Sequence, residues 1–218
     1  MKVTTSQLPV GNRPLGRAEV RRRTVVPLDL EAYTSVQSEL ITFHGLADGQ
    51  EHLAVRLGEP TGIPLVRVHS ECLTGDVLGS RRCDCGPQLT DALAMIHERG
   101  GYLLYMRQEG RGIGLYNKLD AYQLQDDGHD TYAANLQLGR AADERDYTAA
   151  AQILHCLGAV EIDLLTNNPD KAEQLRRYGI RLRKVLPTVA HVNPDNYRYL
   201  AAKATETRHT IDLEGMFP

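Results

Sequence analysis

The sequence predicts an α/β fold, a layered domain in which helices flank a mixed β-sheet. Three observations predict it. Short β-favouring runs separated by Gly, Asp and Pro turns lie between residues 31 and 68, helical and strand periods alternate from the cysteine cluster to residue 186, and glycines stand where the helical patterns stop. Residues 1–30 are polar, contain Pro and Arg without a clear period, and read as a flexible or loosely docked arm. Residues 31–200 are expected to form one domain and 201–218 a tail.

The first strands are expected over 41–44, 52–57 and 65–68. Leu89, Ala92, Leu93 and Ile96 then fall on one helical face, with Pro87 where a first-turn proline is tolerated and Gly100 and Gly101 as the stop. Residues 102–106 read as a buried strand and 115–125 as a helix. A helix over 148–157 is stopped by Gly158, and a strand follows over 161–165. The helix over 169–178 is stopped by Gly179 and leads to a last strand over 180–186.

Composition narrows the functional classes. Of 218 residues, 42% are hydrophobic and 24% charged, which excludes a disordered polymer or a fibrous repeat. The 25 Lys and Arg against 28 Asp and Glu give a net charge of −3, so no global field draws the protein to nucleic acid or to a membrane. With no Trp and 2 Phe, platforms for stacking single-stranded bases are scarce. No run is apolar enough to span a bilayer, and a soluble cytoplasmic protein is expected.

Chemistry concentrates around three of the four cysteines. Cys72, Cys83 and Cys85 lie within CLTGDVLGSRRCDC, where a C-x-C pair and a third thiol ten residues away suit one metal ion. Structural zinc usually takes four protein ligands and catalytic zinc three, so a trio implies an open position for chemistry. Small buried thiols, or a closed site completed by His69 or Cys156, are the competing readings. Cys156 sits among Ile153, Leu154 and Leu157 and is expected to pack in the core.

Anion binding is expected at strand-to-helix junctions, where exposed N–H groups and the helix dipole favour negative charge. RQEGRGIG at 107–114 has this form, as does LLTNNP at 164–169 with Lys171 after it. Arg81, Arg82, Arg107, Arg111, Lys118, Arg140, Arg145 and Lys171 are candidates for a positive cleft on an acidic protein. Thiolate-bound zinc beside a phosphate pocket suggests hydrolytic attack on a nucleotide ring carbon.

The strings RVHSECLTGDVLGSRRCDCGPQL, RQEGRGIGLYNKLDAYQLQ, AADERDY and LLTNNPDK resemble GTP cyclohydrolase II over roughly residues 40 to 187. The resemblance implies that family's fold and an enzyme that opens the imidazole ring of GTP at C8, releasing formate and pyrophosphate in riboflavin biosynthesis. It implies Zn²⁺ on Cys72, Cys83 and Cys85 with water at the fourth position, and Mg²⁺ with the GTP phosphates. Arg67, Val68, His69, Ser70, Glu71, Gln88, Glu109, Gly110, Arg111, Thr131, Thr166 and Lys171 match the family's nucleotide contacts. Glu71 or Glu109 would suit the guanine N1–H and amino group, and Arg111 and Lys171 the phosphates. Asp143 matches the family's proton acceptor, Arg145 the residue assigned to attack the α-phosphate, and Tyr122 a tyrosine near the zinc. A guanidinium is a poor nucleophile, so stabilisation of phosphoryl charge is the alternative for Arg145. By analogy the protein is a homodimer. A variant that keeps the formyl group, and a non-catalytic nucleotide-binding protein, are the alternative functions; Tyr122 favours full deformylation.

Overall fold

The computed structural model describes residues 15–127, 136–141, 143–197 and 200. Seven strands form one mixed sheet: β1 (Glu19–Leu30), β2 (Tyr33–His44), β3 (Leu53–Leu57), β4 (Leu65–Ser70), β5 (Gly101–Met106), β6 (Glu161–Leu165) and β7 (Arg181–Leu186). Their spatial order is β1-β2-β3-β5-β4-β6-β7. The β1, β2, β3 and β5 neighbours pair antiparallel, whereas β5, β4, β6 and β7 pair parallel. The helices are α1 (Leu73–Asp76), α2 (Cys85–Arg99), α3 (Leu115–Asp126), α4 (Thr148–Cys156) and α5 (Pro169–Arg177), with a 3₁₀ turn at Glu109–Gly112.

The expected layered fold is present, and the arm is corrected. Residues 19–30 are not a loose arm but strand β1, paired with β2 from Glu19 opposite His44 to Leu30 opposite Tyr33. As an edge strand β1 presents Arg21, Arg22 and Arg23 to solvent in succession, which hides the two-residue period by which a half-buried strand is recognised.

Strand alternation divides the interior into two cores. On β4, Leu65 joins Leu57, Leu103, Ala92 and Ile96 beneath α2, while Val66 and Val68 join Leu104, Met106, Ile153, Leu154 and Leu175 beneath α4 and α5. Strand β4 is buried through its first five residues because it lies between β5 and β6 and is covered on both faces. The same alternation turns Arg67 toward α2, where it meets Gln88.

Connectivity locates the cleft. The chain leaves β4 through α2 to reach β5 on one side and later returns to β6 on the other side of β4. The segments beyond the C-terminal ends of β4, β5 and β6 therefore converge, the position at which open parallel sheets bind ligands.

Candidate active site

One cavity is built from those three segments. Arg67, His69, Ser70, Glu71 and Cys72 come from the end of β4, Gln108 to Arg111 from the turn after β5, and Thr166, Asn167, Asn168 and Lys171 from the β6–α5 junction. Cys83, Cys85 and Gln88 enter from the start of α2, Lys118 and Tyr122 from α3, and Arg145 from the segment before α4.

The cysteines meet as expected. Among the described residues, the thiol sulfurs of Cys72, Cys83 and Cys85 lie within 4.8 Å of one another. The Cys72 and Cys83 sulfurs are 3.7 Å apart. Two thiolates on one tetrahedral zinc, each with a bond of about 2.3 Å, stand about 3.8 Å apart, so the donor set and its spacing fit that ion. Neither competing closure holds: His69 Nε2 is 3.1 Å from each Asp76 carboxylate oxygen, and Cys156 lies on α4 outside the cluster.

The sulfur cradle depends on a close backbone approach. A Cβ on Gly75 would meet the Cys83 sulfur at 2.7 Å and the Cys72 sulfur at 3.1 Å, and one on Gly86 would meet the Gly75 carbonyl oxygen at 2.4 Å. Glycine at both positions lets α1 lie against the start of α2. Behind Cys72, the Asp76 carboxylate accepts from the Cys72 N–H at 3.0 Å and the Tyr105 hydroxyl at 2.8 Å. Burial holds the His69 imidazole below its ordinary pKa although Asp76 opposes this, so the ring is neutral and donates to that carboxylate.

Charge is balanced on the other side of the trio. Lys118 Nζ donates to Cys72 Sγ at 3.2 Å, Thr74 Oγ1 at 2.9 Å and Glu109 Oε1 at 2.9 Å. Burial alone would lower the Lys118 pKa; the Cys72 sulfur and the Glu109 carboxylate reverse this and raise it. The Cys72 thiol is driven well down, first by hydrogen bonds from Cys83 and Cys85 and then by Lys118. The sequence placed Lys118 only among eight cleft cations, and no local signal ties it to a thiol 46 residues away.

The segments expected to bind anions carry the expected cations in part. Arg111, Lys118, Arg145 and Lys171, together with Arg67, line the cavity. Arg81, Arg82, Arg107 and Arg140 do not; they pair with Asp195, Asp126, Glu71 and Glu144. Arg111 holds a left-handed backbone with φ of +61°, uncommon for a residue with a side chain and consistent with a turn shaped for a ligand. The root of this turn is tied by the Arg107 N–H, which donates to His52 Nδ1 at 2.9 Å while His52 Nε2 reaches Asp48 at 2.8 Å.

The carboxylates expected to face a base are already engaged. Glu71 accepts from Arg107 Nε at 2.8 Å, and Glu109 Oε2 accepts from the Leu73 N–H at 2.7 Å. Arg67 donates to the Leu165 carbonyl at 3.1 Å and to Gln88 Oε1 at 2.8 Å. Lys171 donates to the Val68 carbonyl at 2.6 Å, and Val68 itself lies in the core and off the cavity wall. Gln108, absent from the expected contacts, lines the cavity with its Oε1 buried and unbonded.

Asp143 stands behind Arg145 and does not line the cavity. It accepts from Arg145 Nε at 2.8 Å, from Arg145 Nη2, and from the Arg145 N–H at 3.1 Å. Burial would raise the Asp143 carboxyl, but the guanidinium outweighs it and holds the group below the usual carboxylate range. Tyr122 has the Arg82 guanidinium 4.8 Å from its ring centroid and Lys118 Nζ at 5.7 Å. Thr131 lies outside the described residues.

Comparison with known proteins accords with this arrangement. A family model described as GTP cyclohydrolase II matches residues 23–187. The chain is 49% identical over 199 residues to GTP cyclohydrolase-2 of Vibrio cholerae, covering 90% of this chain and 100% of that protein. It is 48% identical over 192 residues to GTP cyclohydrolase-2 of Psychromonas ingrahamii, covering 87% and 96%. Against GTP cyclohydrolase-2 of Cronobacter sakazakii, identity is 53% over 175 residues, covering 79% and 89%. A match that runs from within β1 to the end of β7 and takes in the sulfur trio and all three cavity segments shows that this chain is an enzyme belonging to the GTP cyclohydrolase II family.

Proposed function

We propose that the protein hydrolyses GTP at C8 of the guanine, releasing formate and pyrophosphate and leaving 2,5-diamino-6-(5-phosphoribosylamino)pyrimidin-4-one, a step of riboflavin biosynthesis. The observation that carries the proposal is the meeting of three thiols and five cationic side chains at one cavity. That cavity offers a metal site for the ring and positive charge for the phosphates.

Cys72, Cys83 and Cys85 would hold one Zn²⁺, which when bound supplies Lewis acidity for hydrolysis beside the cavity. The remaining work falls to side chains. Arg67, fixed by Gln88 and the Leu165 carbonyl, offers a rigid cationic wall for the nucleotide. Lys171, Thr166 and the N-terminus of α5 suit phosphate oxygens, as does Arg111, and Mg²⁺ would accompany the triphosphate. Tyr122 supplies a proton to nitrogen as the ring opens and the formyl group leaves.

Arg145 acts by charge. Its guanidinium is gripped by Asp143 and directed at the cavity, an arrangement suited to stabilising a phosphoryl group under attack by water and unsuited to covalent nucleophilicity. Asp143, ionised across the neutral range, orients the guanidinium toward the cavity and serves as the proton acceptor that the family likeness implies. Glu71 recognises the guanine N1–H and amino group on exchanging its Arg107 partner for the base. The working unit is taken to be a cytoplasmic homodimer, as the family likeness implies.

Incubation with GTP and Mg²⁺, with separate assays of formate, pyrophosphate and the pyrimidine, tests the proposal. Equimolar formate and pyrophosphate support it. Pyrophosphate and a formylated pyrimidine without formate would establish the formyl-retaining reaction instead, and pyrophosphate with an intact guanine ring, or intact GTP, would overturn the proposal.

A further inference from the structure

The Lys118 ammonium is an unusual neighbour for a metal-binding thiol trio. Its side chain is 11% exposed, yet it is anchored from three directions within 3.2 Å, by Cys72 Sγ, Thr74 Oγ1 and Glu109 Oε1. Glu109 in turn accepts from the Leu73 N–H, the residue following Cys72. The ammonium and carboxylate together tie α3 and the turn after β5 to the backbone that carries the first thiol.

The charge inventory explains why a buried cation belongs there. Three thiolates and a divalent ion sum to −1, and burying a net charge without a partner is costly. The Lys118 ammonium sets +1 directly against the Cys72 thiolate; the Glu109 carboxylate beside it returns the sum to −1, so its part is to fix the direction of the ammonium N–H bonds rather than to balance charge. An N–H to sulfur hydrogen bond also withdraws electron density from the thiolate. The ammonium beside the sulfur also favours the thiolate over the protonated thiol, which tightens metal binding by more than the weaker donation loosens it, while the ion keeps more of its Lewis acidity for substrate.

Resting on the Cys₃ metal reading above, we propose that Lys118 is a positioning residue for the metal centre: through Cys72 Sγ it sets both how tightly the ion is held and how acidic the ion remains, with Glu109 and Thr74 fixing the ammonium. Its expected scale is that of other groups that hydrogen-bond to metal ligands, whose removal costs about 10- to 100-fold in metal affinity. A role confined to packing on α3 would leave the electronic spectrum of the centre unchanged.

The test uses full-length chain stripped of metal and titrated with Co²⁺, whose thiolate charge-transfer absorption reports on sulfur directly, and with Zn²⁺ in competition with a chelator. Wild type, Lys118→Met, Lys118→Gln, Lys118→Arg and Cys83→Ser are compared. Lys118→Met and Lys118→Gln are expected to weaken Zn²⁺ binding at least tenfold and to shift the charge-transfer band to longer wavelength. Lys118→Arg, which keeps the charge, restores most of both. Should Lys118→Met fail to fold, the Gln and Arg pair decides. Tight binding by wild type with unchanged affinity and band position in Lys118→Gln would overturn the role of Lys118 alone. Absence of thiolate-to-Co²⁺ absorption in wild type would overturn the metal reading and the proposal with it.

Discussion

Gly75 lies so close to Cys83 that a methyl group on it would stand 2.7 Å from the sulfur. Alanine at 75 therefore forces the thiols apart, because the neighbouring atom at that distance is itself fixed by the trio. Gly75→Ala is expected to lower bound metal at least tenfold and to abolish formate release, at a cost of about 1–3 kcal/mol to the metal-free fold from overpacking. Metal content by elemental analysis, together with denaturant unfolding of stripped protein, checks this. Wild-type metal content in a folded variant would refute the cradle geometry.

Arg145 and Asp143 act as one charged unit. Arg145→Lys keeps the charge but loses the planar fork that engages Asp143 through Nε and Nη2. Pyrophosphate release is expected to slow by about 10²- to 10³-fold in kcat, with a smaller change in KM, as for loss of a donor directed at developing charge. Steady-state kinetics with a pyrophosphate-coupled assay measures it, and unaltered kcat would remove Arg145 from the phosphoryl step.

Tyr122→Phe separates ring opening from deformylation. The ring keeps its place beside Arg82 and Lys118, so packing survives while the hydroxyl is lost. Formate release is expected to slow by about 10²-fold, more than GTP consumption, with a formylated pyrimidine accumulating. Equal slowing of both in a quenched time course would take the proton-donor role away from Tyr122.

Asp163 reports on stability outside the cavity. Its fully buried carboxylate accepts from Arg183 Nε at 2.8 Å and Arg99 Nη2 at 2.8 Å, and Arg183 in particular holds it below the usual carboxylate pKa. Its folded-state pKa lies beneath the unfolded value, so this contribution is complete above about pH 4 and fades as pH falls through the folded value. Asp163→Asn is expected to cost about 1–3 kcal/mol at neutral pH, the range of charge-assisted hydrogen bonds, with both arginines still reaching water. Urea unfolding of both proteins at pH 7 and pH 3 should show the gap narrowing in acid; a gap of constant size would contradict the assignment.

Much of the fold was legible because its signals are local. The strand expected over 102–106 is Gly101–Met106, the helix expected over 115–125 is Leu115–Asp126, and Gly100 caps α2 as read. Strand β1 was missed because an edge strand buries too little to show a period, and its identity depends on β2 across the hairpin. The thiols were legible from spacing. The ties from Asp76 and Lys118 to Cys72 were not: the first arises from the fold of a four-residue helix, and the second spans 46 residues. Likewise, sequence marks eight cations near the motifs, but only the three-dimensional arrangement shows that Arg81, Arg82, Arg107 and Arg140 stand off the cavity wall, each beside a carboxylate.

Zinc reconstitution of stripped protein bears most directly on the catalytic account. With GTP and Mg²⁺ present, formate production is expected to rise linearly with added Zn²⁺ and to break at one equivalent per chain, while Cys83→Ser stays inactive throughout. Full activity in wild-type protein freed of zinc, or in Cys83→Ser, would contradict the account.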